Sequence, residues 1–165
     1  MTDTANAQIS SSGMPVGRTS EDHAERIKRE LIAAGVTRYG LRKFAAHYVY
    51  RIIHPQEHIM AVVYGRYGSG EGLFGGMSEG MLIATERRVI FLDYKPGFTD
   101  LKEFTYDVVS GIERITTALF SSVKLFTRIG NFSLRYANSH CVELFMEYIE
   151  LRRLETKDTV SQPAT

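Results

Sequence analysis

Two hydrophobic periods divide the chain near Pro55. Before it, Ala24, Ile27 and Leu31 recur at the spacing of one helical face, and Leu41, Phe44, Ala45, Tyr48 and Ile52 do so again. Thr19 or Ser20 suits the N-cap of the first helix, where Glu21 and Asp22 complement the positive end of the dipole. Gly35 offers a left-handed stop, Thr37 a second cap, and Pro55 an end. The pattern predicts a helical hairpin over 19–54 whose basic outer positions, Arg26, Lys28, Arg29, Arg42 and Lys43, are read as solvated charge.

Beyond Pro55, β-branched and aromatic residues come in short runs separated by Gly, Asn, Asp and charged turns. Strands are predicted at 58–66, 79–85, 88–94, 101–106, 111–117, 123–129 and 132–137. Glu86-Arg87 makes a tight turn, and Gly130-Asn131 supplies the positive φ that a two-residue hairpin needs. A last helix, capped by Asn138 or Ser139, runs to Leu154 with two apolar stripes. Val142, Phe145, Met146 and Ile149 suffice to cap a barrel, so Leu144, Tyr148 and Leu151 are left for the N-terminal hairpin or another subunit to cover.

The segment from Glu79 through Ala84-Thr85-Glu86-Arg87-Arg88-Val89-Ile90-Phe91 to Asp93, followed by 103–113 with its Ser110-Gly-Ile-Glu113 start of a fifth strand, resembles the bacterial pleckstrin-homology (PH) domains of the YokE-like type. The resemblance covers roughly 57–153. It implies a mainly β fold with α elements: a PH-like seven-stranded antiparallel barrel capped by a C-terminal helix, with the helical hairpin as an addition. The tip at 65–76 is longer and richer in glycine than the family pattern. The absence of tryptophan points to the bacterial branch, and no signalling-lipid function is imported.

Charge and cysteine content narrow the context. Twenty Lys and Arg against nineteen Asp and Glu leave no whole-molecule field for nucleic acid or an anionic membrane. A lone cysteine, Cys141, fits a reducing, cytoplasmic setting. Residues 1–18 read as a disordered leader without signal-peptide features, 55–154 as the barrel with its helix, and 155–165 as a disordered tail. No stretch approaches the roughly 18 apolar residues of a membrane span.

Candidate chemistry is sparse. His54-Pro-Gln-Glu57-His58 matches the H-x-x-E-H pattern of inverted zincin peptidases, but Pro55 breaks the helix that two zinc-binding histidines require, so a helix-to-strand connector is expected. The glycine-rich stretch 65–76 lacks the Gly-Lys-Ser/Thr of a phosphate loop and reads as a hairpin tip. Cys141 beside His140 reads as a structural cysteine, since helix neighbours do not face one another. No catalytic group, metal or cofactor is implied. The expected role is a binding or assembly module that self-associates or meets a protein partner, with an anionic-lipid surface as the alternative and a zinc-dependent hydrolase at His54, Glu57 and His58 as the remote one. Its contact surface is placed at Arg66, Tyr67 and Phe74 on the first tip and at Arg87 and Arg88 on the second, whose charges otherwise read as exposed.

Overall fold

The change of period at Pro55 marks a change from helix to sheet. The structure, a computed structural model, describes residues 16–43, 46–69, 76–95 and 98–160. Residues 1–15, Phe44 and Ala45, 70–75 with Phe74, 96–97 and 161–165 lie outside the described residues. Helices α1 (Val16–Ala33), α2 (Arg38–Lys43) and α3 (Ala46–Val49) come first. Strands β1 (Ile59–Ser69), β2 (Gly76–Thr85), β3 (Val89–Lys95), β4 (Phe98–Phe104), β5 (Val109–Thr116), β6 (Ser121–Thr127) and β7 (Gly130–Ala137) follow, and α4 (Ser139–Val160) ends the fold.

The strands run antiparallel in the order β4-β3-β2-β1-β7-β6-β5. The seven-stranded fold with its C-terminal helix is therefore as expected. β4 and β5 are the two ends of the order, and a 3-10 turn at Tyr106–Val108 connects them. Inside, Val63, Leu82, Phe91, Leu125 and Leu134 pack against Val142, Phe145 and Ile149 of α4. Outside, Val62, Met81, Ile83, Ile90 and Leu92 pack against Ile27, Leu31, Val36, Val49 and Ile53. β1, β2 and β3 are thus apolar on both faces because helices cover one and the barrel core the other. β6 keeps a strict alternation of buried and half-buried residues.

Several boundaries differ from the sequence expectation. α1 starts at Val16, ahead of Thr19. α3 ends at Val49, short of the residue 54 expected for the hairpin's second arm: Arg51 and Ile52 N–H donate three residues back, to Tyr48 O (3.0 Å) and Val49 O (2.9 Å), tightening the turn before Pro55. Thr37 does cap α2, its Oγ1 accepting Gly40 N–H at 3.1 Å. Tyr106 leaves β4 and enters the 3-10 turn. The β6–β7 turn is Arg128-Ile129, because Gly130 already pairs with Thr127. Of the two candidate caps for α4, Asn138 acts, its Oδ1 accepting His140 N–H (3.0 Å) and Cys141 N–H (3.2 Å). The helix continues past Glu155 into the expected tail, where Arg152 pairs with Glu155 at 2.7 Å and Thr156 Oγ1 donates to Arg152 O at 2.8 Å.

The N-terminal helices also lie elsewhere than the spare stripe of α4. They cover the outer face of β1–β3, and the turn after α1 meets α4 where Cys141 Sγ donates to Gly35 O at 3.3 Å. Gly35 has φ +90°, and a Cβ there would come within 2.8 Å of that sulfur, so glycine is required twice over. Burial raises the Cys141 thiol above its ordinary pKa, which suits packing rather than nucleophilic work.

The seam between the two halves of the barrel is equally tight. Arg66 of β1 lies opposite Arg135 of β7, and a Cβ on Gly65 would sit 2.5 Å from Arg135 O. Gly65→Ala should therefore lower stability by about 1–3 kcal/mol, read as an earlier urea midpoint. An unchanged midpoint would mean that the seam yields freely.

Candidate functional site

The zinc-like motif is the bolt between helices and barrel. Glu57 is 1% exposed, and its Oε1 accepts Arg88 Nε (2.9 Å) and Thr85 Oγ1 (2.7 Å). Oε2 accepts Arg88 Nη2 at 2.8 Å and His54 N–H at 3.2 Å. Burial alone would raise the Glu57 carboxyl, but the hydrogen bonds from Arg88, Thr85 and His54 outweigh it and hold the pKa at about 2. His54-to-His58 is the expected connector, and among the described residues no group of three His, Cys, Asp or Glu is placed to hold a metal ion.

Arg88 is correspondingly not the exposed hairpin charge expected of it. Its guanidinium also pairs with Glu103 and donates to Ile52 O at 3.2 Å. The β2–β3 turn is clamped from the other side as well: Tyr106 and Tyr148 hydroxyls donate to Thr85 O, and Arg152 Nη2 donates to Glu86 O at 2.6 Å. Arg87 stays exposed at the turn. The Thr-Glu-Arg-Arg wording that carried the family resemblance is thus a structural clamp.

Arg26 differs from its expected solvated state in the same way. It pairs with Glu30 at 2.6 Å and donates to Glu57 O and Pro55 O at 3.0 Å each, stitching α1 to the connector. Glu30 Oε2 accepts Ile59 N–H at 2.9 Å, while Oε1 lies 2.8 Å from His58 Nδ1. His23 Nε2 faces two carbonyls, Tyr50 O (3.0 Å) and Ile53 O (3.1 Å), which makes it the protonated nitrogen.

Of the residues expected to form a contact surface at the first tip, Tyr67 turns inward. The Tyr67 ring packs edge-on against Phe91 with centroids 5.2 Å apart, and its hydroxyl donates to the buried Asp93 carboxylate. Burial, then Asp93, raises the phenol's pKa. Tyr67 therefore lines the barrel mouth, while Arg66 sits exposed 3.9 Å from Glu79. Phe74 lies outside the described residues.

The α4 stripe is divided as well. Tyr148 belongs to the barrel side, edge-on to Tyr106, Leu144 is half-buried, and Leu151 is 53% exposed.

Sequence reading missed an apolar exposure at the β5–β6 end of the barrel. Thr117 N–H donates to Phe120 O at 2.9 Å, which puts Ala118 and Leu119 at the tip of the β5–β6 hairpin. Leu119 is 81% exposed, Ile115 55%, Phe120 47% and Tyr136 55%. Phe120 and Tyr136 meet edge-on at 5.7 Å, and Tyr136 holds φ +58°, a costly conformation for a tyrosine. It sits by the irregular pairing between Ser121 and Val123. The available signal was the Ala118-Leu119-Phe120 run flanked by Thr117 and Ser121, apolar residues in a connection where polar ones are usual.

A crystal structure of a DUF1696 family protein with a pleckstrin-homology domain, from Shewanella loihica PV-4, is similar at 14% identity over 66% of this chain and 92% of that one, with a TM-score of 0.43. No curated protein matches the chain. The model of a family described as bacterial PH domain matches residues 53–150, from just before the connector to the middle of α4, and the chain belongs to that family.

Proposed function

We propose that the chain is a non-catalytic docking module that self-associates through the β5–β6 end of the barrel. The observation that carries this reading is the cluster of Ile115, Leu119, Phe120 and Tyr136, four large apolar side chains each about half exposed or more. Such a group covers an apolar partner surface at little conformational cost when it stands on a strand pair and one aromatic is already held in a strained backbone. A second copy offers the same patch, so a two-fold contact is self-complementary. Leu151 and Leu154 on α4 are exposed as well, toward the helix end that meets the β2–β3 turn.

An anionic-membrane role has less behind it. Arg26, Arg66 and Arg88 each face a carboxylate.

Size-exclusion chromatography with light scattering tests the reading. The full chain should run as a dimer or larger at about 0.1 mM, and Leu119→Glu with Phe120→Glu should return it to a monomer with unchanged far-UV dichroism, since two buried acids disrupt an apolar contact. A monomeric wild type, or a double variant that still assembles, would sink the proposal.

A further inference from the structure

We infer that the N-terminal helices hold a binding site for a single-chain amphiphile with an anionic head. Between α1 and α2 runs a groove of about 770 Å³. That volume is in the range of small-molecule sites. Ala24, Leu31, Ile32, Leu41 and Tyr50 line it with apolar surface, and Ile32 is 49% exposed. From Glu21 to Ile32 the α1 wall is about 16 Å long at the helical rise, room for an extended alkyl chain.

The rim supplies the polarity. Arg38 and Arg42, one turn apart on α2, are exposed and have no ion-pair partner among the described residues. Lys28 on the opposite rim is already taken by Glu25 at 3.4 Å. Glu21 stands toward the start of α1, whereas Arg38 opens α2 after the 34–37 turn that follows the end of α1. One end is therefore acidic and the other carries two open guanidinium groups, which orients a carboxylate or phosphate head at Arg38 and Arg42 and the tail along Ala24 and Tyr50. The wall is rigid, because Ile27 and Leu31 are buried against the sheet and Arg26 ties α1 to the connector. The groove lies outside residues 53–150, so the barrel family does not account for it, and the inference is independent of the self-association proposed above.

The test is amide NMR of the isotope-labelled full chain titrated with dodecanoate below its micelle concentration, beside dodecyltrimethylammonium of the same chain length. Dodecanoate should saturate and shift the amides of Ala24, Lys28, Ile32 and Leu41, and bind at least about tenfold more tightly than the cation. Arg38→Gln with Arg42→Gln, both on the surface, should remove that preference while the spectrum stays folded, and Ala24→Trp should block both probes by filling the groove. Equal binding of the two probes, shifts confined to the barrel, or a double variant that keeps its preference each overturns the inference. Phosphatidylglycerol vesicles form the last arm: retention of the protein on them that depends on Arg38 and Arg42 would assign the site to a bilayer headgroup and overturn the single-chain occupant.

Discussion

Glu57→Ala should cost the fold about 3–5 kcal/mol at neutral pH, because it leaves the Arg88 guanidinium half-buried without its main acceptor. Arg88→Met should cost a similar amount by stranding the Glu57 carboxylate, which is 1% exposed. Replacing both, Glu57→Leu with Arg88→Met, should cost clearly less than the two single changes added together. The same pair sets a pH dependence. The folded carboxyl titrates at about 2 against an ordinary 4.5, so below pH 4.5 the unfolded chain takes up a proton that the folded chain refuses. Stability from this group is complete above pH 4.5 and is lost as the pH falls toward 2, by about 3 kcal/mol in all at 1.36 kcal/mol per pH unit. Urea unfolding at pH 7, 4 and 3 reads both effects. A wild-type curve no steeper with acid than that of Glu57→Gln would mean that the carboxylate is not held down as the geometry requires.

What the sequence makes legible is periodicity, and what it hides is which surface each period meets. Seven strands and a capping helix follow from alternation and turn residues, and Phe145 is where the stripe places it. Val62, Met81, Ile83 and Ile90 were visible only as part of apolar runs. Their lack of alternation was itself a sign of two covered faces, and it points to the outer side of β1–β3 as the seat of the N-terminal helices. Charged residues mislead in the opposite direction. Arg26 and Arg88 look like surface charge because nothing local announces Glu30, Glu57 or Glu103 as partners, and Arg88 and Glu57 are 31 residues apart. Tyr67 suffers the same ambiguity: an aromatic beside glycines reads as a tip, but a Cβ on Gly80 would lie 3.1 Å from its ring, so that glycine serves to seat it against Phe91. The β5–β6 cluster was missed because connections are expected to be polar, and the exception carries the interest.

Phe145→Ala should be the other severe change, at about 3–5 kcal/mol, because this ring is fully buried where α4 closes the barrel. Leu151→Ala, six residues on along the same helix and 53% exposed, should cost no more than about 0.5 kcal/mol. The contrast separates the stripe that plugs the barrel from the one that faces outward. The loss at Phe145 should also be felt on the far side of the sheet. β1, β2 and β3 give Val63, Leu82 and Phe91 to the inner core and Val62, Ile83 and Ile90 to the outer one, so the two cores share these strands as a common wall. Unfolding followed by far-UV dichroism, which weights the helices, and by tyrosine fluorescence, which includes Tyr106 and Tyr148 in the barrel, should therefore give one coincident transition in both wild type and Phe145→Ala. If the variant instead keeps its helical signal after the tyrosine signal has melted, α1–α3 with the outer faces of the strands form a unit that survives without the plug, and the shared wall does not couple the two cores.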